Sequence, residues 1–238
     1  MFHAGCIGED GARLLELCRK EGVDTRHISI LPRNTGHAII QVSNTGQNSI
    51  IVCGGTNQMM TADMVDAALK DFEQGDILVL QNEINLLEYI IDEAYEKGMR
   101  IALNPSPFDG KIANYKLHKV SMFLLNEIEA QQITGAENID SIIETMRSRY
   151  PRAQTVITLG ERGAVYFDRN SRLRVAAQKV DAVDTTAAGD TFTGYFIASI
   201  AQGCEPELAL KRASMAAGIS VTREGAVPSI PYKTQINC

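Results

Sequence analysis

The stretch Asp184-Thr185-Thr186-Ala187-Ala188-Gly189-Asp190-Thr191-Phe192-Thr193-Gly194 runs tiny side chains straight into an acid at the start of a helix. Ala187, Ala188 and Gly189 leave backbone N–H groups uncovered at a helix N-terminus. Unpaired donors and the positive end of the helix dipole favour an anion such as phosphate there. Asp190 follows at once, within reach of a group attacking that anion, which is where a general base belongs. Phe192, Phe196, Ile197 and Ile200 recur at helical spacing, so a buried helix face holds the turn. On its own, the Ala-Ala-Gly-Asp run reads equally as close packing followed by an acid that stabilises the first helical turn.

Working outward, strand-like runs alternate with helix-like ones, the pattern of βα units that build a mainly parallel sheet. Strands are predicted at 2–7, 77–80, 101–103, 122–125 and 155–159. Helices are predicted at 11–21, 62–72, 86–97, 127–134 and 139–150, with two longer ones after Gly189 and Pro206. Gly22, Gly98, Gly135 and Gly203 punctuate helix ends, where a left-handed residue closes the last turn. Segments 36–42 and 49–53 flank Asn44-Thr45-Gly46-Gln47 and read as a β-hairpin that projects from the main sheet. With no repeat or linker, residues 1–238 read as one α/β domain.

Ligands of an open parallel sheet bind outside the carboxyl ends of its strands. The residues after the predicted strands are polar or turn-forming: Gln81-Asn82-Glu83, Asn104-Pro105-Ser106, Asn126-Glu127-Ile128-Glu129 and Gly160-Glu161-Arg162-Gly163. All are expected on the edge that carries Asp190. Glu83 reads either as a cap of the next helix or as an acceptor for vicinal hydroxyls. Asn126 reads as the N-cap of helix 127–134. Thr158 to Gly163 read as a strand end and tight turn, and Ser214 as a small packing residue on a helix.

Composition removes several classes. With 45% hydrophobic and 22% charged residues in 238, the chain is an ordinary soluble one. A net charge of −6 without a Lys/Arg block argues against nucleic acid as a partner. The five cysteines are widely spaced and the four histidines form no paired-ligand pattern, so reduced thiols are expected and a zinc site is not. No apolar run reaches membrane length, and the start has neither a basic nor an apolar leader region, so a cytoplasmic protein without a membrane partner is expected. Neither G-x-x-x-x-G-K-[ST] nor G-x-G-x-x-G occurs, which removes P-loop NTPases and Rossmann dehydrogenases.

Taken whole, residues 184–194 resemble the signature of the ribokinase/phosphofructokinase-B family of sugar kinases. Ser220-Val221-Thr222-Arg223-Glu224-Gly225-Ala226-Val227-Pro228-Ser229-Ile230-Pro231 resembles that family's C-terminal monovalent-cation loop. The resemblance implies a three-layer ribokinase-like α/β fold, with 36–53 part of a small β lid that covers the sugar and offers a homodimer contact. It implies an ATP-dependent carbohydrate kinase, with ribose to ribose 5-phosphate as the foremost reaction.

By the same resemblance Asp190 is the catalytic base and Ala187, Ala188 and Gly189 form the anion hole. Glu83, with Asp190, would hold sugar hydroxyls. Asn126 and Glu129 match an Asn-x-x-Glu that organises Mg²⁺ through water beside the nucleotide. Thr158, Gly160 and Gly163 would lie under the nucleotide, with Ser214 in the adenine pocket. Asp184, Thr186, Ser220, Arg223, Gly225 and Ser229 would surround a monovalent cation, K⁺, largely through backbone oxygens. The resemblance begins at about Phe2, and the family's first strand, with its sugar-binding Asp, and its glycine-rich motif have no counterpart. A shortened chain is therefore expected. Two further readings stay open: a catalytically silent fragment that binds nucleotide or a partner chain, and a kinase for a nucleoside or another sugar.

Overall fold

In the computed structural model, which describes residues 1–42 and 48–236, the chain divides into two units, Met1–Arg100 and Ile101–Cys238. In the first, β1 (Phe2–Gly8) pairs in parallel with β2 (Asp24–Leu31), and α1 (Ala12–Lys20) connects them. β2 is not announced by the sequence, because Arg26, His27 and Ser29 interrupt its apolar residues. The hairpin β3 (His37–Val42) and β4 (Asn48–Cys53) forms a two-stranded sheet of its own, with Ile39 opposite Ile51 and Ala38 opposite Val52. Its predicted turn, Asn44 to Gln47, lies outside the described residues.

The first unit continues through α2 (Ala62–Leu69), β5 (Ile77–Gln81) and α3 (Leu87–Glu96). Thr61 caps α2 by accepting from Met64 N at 3.3 Å. The helix stops short of the predicted Phe72 because Asp71 N and Phe72 N donate only three residues back, to Ala68 O and Leu69 O. Left-handed Leu86 (φ 61°) opens α3 without a side-chain cap. Glu83, offered by the sequence as that cap, stands three residues earlier in a turn and does not fill the role.

The second unit holds β6 (Arg100–Asn104), β7 (Met122–Asn126), β8 (Gln154–Thr158), β9 (Ala164–Phe167) and β10 (Arg172–Val175), adjacent in the order β10-β9-β8-β7-β6. β6, β7 and β8 are parallel, whereas β8–β9 and β9–β10 are antiparallel. The expected α/β sheet with its parallel strands is thus present, and it carries an antiparallel edge at β9 and β10. The cause of that edge is connection length, since the short turn between Thr158 and Ala164 can only reverse the strand, whereas a parallel crossover needs a dozen residues or more. Gly163 is required in that turn: its φ is +90°, and a Cβ would sit 2.0 Å from Val175 O.

Around this sheet stand α4 (Glu127–Thr134), α5 (Ile139–Arg149), α6 (Ala188–Ala201) and α7 (Pro206–Ser220). Met122 to Leu125 of β7 are all buried, as in a strand covered on both faces. Tyr166 and Phe196 are fully buried with ring centroids 6.4 Å apart, which seats α6 on β9. Small residues on α7, Ala209, Ala213 and Ala216, are also fully buried and let α6 and α7 approach closely. Among the described residues, no helix is long and apolar enough to cross a membrane.

Candidate active site

Two helix starts make the site. At the end of β7, Asn126 Oδ1 accepts from Glu129 N at 2.8 Å, and Glu129 Oε2 accepts from Asn126 N at 2.9 Å. This reciprocal capping box fixes both side chains at the carboxyl edge of the sheet. At the start of α6, Ala187 takes the left-handed conformation (φ 59°, ψ 14°) and no side chain caps the helix. A residue with a Cβ holds that conformation at a cost of about 1–2 kcal/mol, and such strain gathers at functional sites. The first helical turn therefore presents N–H groups that helix geometry leaves without intrahelical acceptors.

Ala187, Ala188, Gly189 and Asp190 open on one cleft together with Asn104, Ser106, Asn126, Glu129 and Thr158. Asp190 is exposed there. A Cβ built on Gly189 meets nothing within 4 Å, so that side of the turn is clear for a ligand. Glu129 is only 6% exposed. Burial pushes its carboxyl above the usual range; the Asn126 N–H and the Ser106 side chain oppose this, and the charge of Asp190 adds to the rise. A buried carboxylate, an exposed one and a helix N-terminus around one cleft suit a polyanion that arrives with a cation.

The remaining candidates fall into separate places. Thr158 lines the cleft, and its hydroxyl donates to Leu125 O at 3.4 Å. Gly160 (φ 59°) and Gly163 shape the following turn and are not part of the cleft wall. Ser214 is buried on α7 and donates to Ala176 O at 3.1 Å. Glu83 belongs to the first unit, where it is exposed and its carbonyl accepts from Gln58 Nε2 at 2.8 Å.

The proposed cation residues form one loop cluster. Asp184 Oδ1 accepts from Thr186 N and Oδ2 from Gly225 N, both at 2.9 Å. The Thr186 and Gly225 contacts hold its carboxyl below the usual range. Val183 N and Asp184 N both donate to Val221 O, next to Ser220. Ser220 and Ser229 are fully buried, with hydroxyls donated to Ala217 O and Ala226 O, and Arg223 Nη1 reaches Ser229 O at 3.4 Å. Among the described residues, no cluster of three His, Cys, Asp or Glu side chains could hold a metal directly.

Asn104 and Ser106 carry no local motif beyond their polarity, yet both line the cleft. Ser106 bonds the Glu129 carboxylate through a contact that depends on the chain path after β6, which no local motif announces. Thr185 and Thr193, inside the quoted stretch, also line the cleft.

A family model described as pfkB family carbohydrate kinase matches residues 1–233. The ribokinase of Schizosaccharomyces pombe is 34% identical over 247 residues, covering 98% of this chain and 77% of that relative. Ribokinase from Cryptococcus neoformans, solved with ADP, matches at a TM-score of 0.87 and 27% identity over 99% of this chain and 81% of its own. Arabidopsis thaliana ribokinase, complexed with ribose and ATP, matches at 0.86 and 27% over 99% and 80%.

Proposed function

This chain belongs to the pfkB family of carbohydrate kinases, and we propose that it transfers the γ-phosphoryl group of ATP to ribose, giving ribose 5-phosphate and ADP. The observation that carries this reading is the left-handed turn at Ala187, which puts the open N-terminus of α6 and the carboxylate of Asp190 on one cleft. Asp190 takes the proton from the attacking sugar hydroxyl. The N–H groups of Ala187, Ala188 and Gly189 receive the charge on the transferring phosphoryl group, Ala188 N exchanging for it a 3.3 Å contact with Thr185 O. Glu83 is assigned to sugar hydroxyls by family likeness.

Asn126 and Glu129 fit a magnesium ion held through water, since Glu129 is a buried carboxylate beside a second negative charge. Bound there, the ion neutralises polyphosphate charge. Thr158 meets the nucleotide on the cleft wall, while Gly160, Gly163 and Ser214 are assigned to nucleotide by family likeness. The hairpin β3–β4 exposes Ile39, Ile51 and Val52 at 51%, 55% and 63%, which supports its reading as a lid and as a contact with a second copy. A cytoplasmic location accords with phosphorylation by ATP.

The test is ADP release by the purified protein with ATP and Mg²⁺. Release is expected with ribose and not without sugar. Nucleotide binding without sugar-dependent release would favour a silent binder, and turnover with a nucleoside but not ribose would move the acceptor.

Asp184, Thr186, Ser220, Arg223, Gly225 and Ser229 fit a potassium ion, because an ionised carboxylate stands among turns rich in backbone carbonyls. Exchange of K⁺ for a bulky organic cation at equal ionic strength is expected to lower activity or nucleotide affinity, since screening is the same in both salts. Identical kinetics would remove the cation from this loop.

A further inference from the structure

The first unit gathers three sulfur atoms. The thiol of Cys6, on β1, lies 3.4 Å from Met60 Sδ and 3.8 Å from Met64 Sδ. Each contributing backbone is tied down. The Thr56 hydroxyl donates to Cys6 O at 3.0 Å. The Asn85 side chain accepts from Met60 N at 3.0 Å and donates to Met60 O at 2.8 Å, while Thr61 caps α2 at Met64 N. Methionine carries a polarizable thioether on three rotatable bonds, and here two thioethers stand in contact with one thiol.

We propose that Cys6, Met60 and Met64 form a binding site for a soft monovalent metal ion, of which Cu(I) is the biological example. Thiolate and thioether ligands select Cu(I), whereas Mg²⁺ and Ca²⁺ require oxygen. Three sulfurs in a plane, each about 2.3 Å from a metal as in zinc thiolates, lie roughly 4 Å from one another. The two separations from the thiol, 3.4 Å to Met60 Sδ and 3.8 Å to Met64 Sδ, are close to that spacing. Cys6 and Met60 are buried, and half-buried Met64 marks the way in from solvent. On binding, the metal–sulfur bond replaces the S–H bond of Cys6 and the proton passes to water. The resulting thiolate balances the single positive charge.

The test uses Cu(I) itself, delivered anaerobically from a competing chromophoric chelator. The full chain carries serine at Cys18, Cys53, Cys204 and Cys238. Retention of a single Cu(I) with a sulfur-only first shell by X-ray absorption is expected, together with a raised Tm. Cys6→Ser should abolish both effects. Met60→Leu and Met64→Leu should each weaken binding by about tenfold or more, the scale on which even outer partners of a metal site act. These leucine variants conserve volume and keep the core, so they decide the matter if Cys6→Ser does not fold. Failure of the folded four-serine protein to retain Cu(I), or retention that these substitutions leave unchanged, would overturn the site.

Discussion

Asp190→Asn is expected to lower kcat by about 10²–10⁴, the range for loss of general-base assistance, while nucleotide affinity and the circular dichroism spectrum stay as they were. Asparagine keeps the shape of the side chain in the first turn of α6, so the turn at Ala187 and its N–H groups remain in place. What disappears is the acceptor for the hydroxyl proton. Loss of charge also removes one neighbour that raises the Glu129 carboxyl, a secondary change that burial outweighs. Steady-state kinetics alongside nucleotide titration separates the two roles. Near-parental turnover would return Asp190 to stabilising the helix start and would end the proposed mechanism.

The second large effect is on stability. Phe196 is fully buried between Phe192, whose ring is stacked at 6.4 Å, and Tyr166 at 6.4 Å. Phe196→Ala leaves a cavity and forfeits transfer free energy, together about 3–5 kcal/mol, against a typical total of about 5–15 kcal/mol. A marked fall in the urea midpoint at unchanged slope is expected. Phe192, one turn earlier, lines the cleft, so loosening this helix face also disturbs the floor under Asp190. A loss below about 1 kcal/mol, the size of an ordinary surface or conservative change, would show that α6 is not held by this aromatic contact.

Much of this architecture is legible from local chemistry. Helix α4 appears with the predicted bounds because Asn126 and Glu129 define its first turn and Gly135 (φ 73°) its end. Strands β6, β7 and β8 lie within a residue of expectation because short apolar runs end in polar residues. β9 and β10 escaped because they are four residues each and Arg172 and Arg174 break the apolar pattern of β10. In the site, Asn126, Glu129, Thr158 and the 187–190 run converge on one cleft as strand-edge logic required. The left-handed state of Ala187 was not legible, because sequence leads one to look for glycine there. Ser214 and Gly160 show the opposite limit: family likeness gives them a role, while their immediate contacts are those of packing and turn residues.

Asp184 has a consequence in titration. Its two oxygens each accept a backbone N–H, one within its own loop and one at Gly225, so a single ionised group fastens the approach to α6 to the segment after α7. Its pKa is depressed in the folded chain. The fastening is complete above the unfolded carboxylate value, near 4. Below that value the unfolded chain gains the proton first, and the contribution fades until the folded value is passed. Acidification thus unfastens the loop beside the anion pocket.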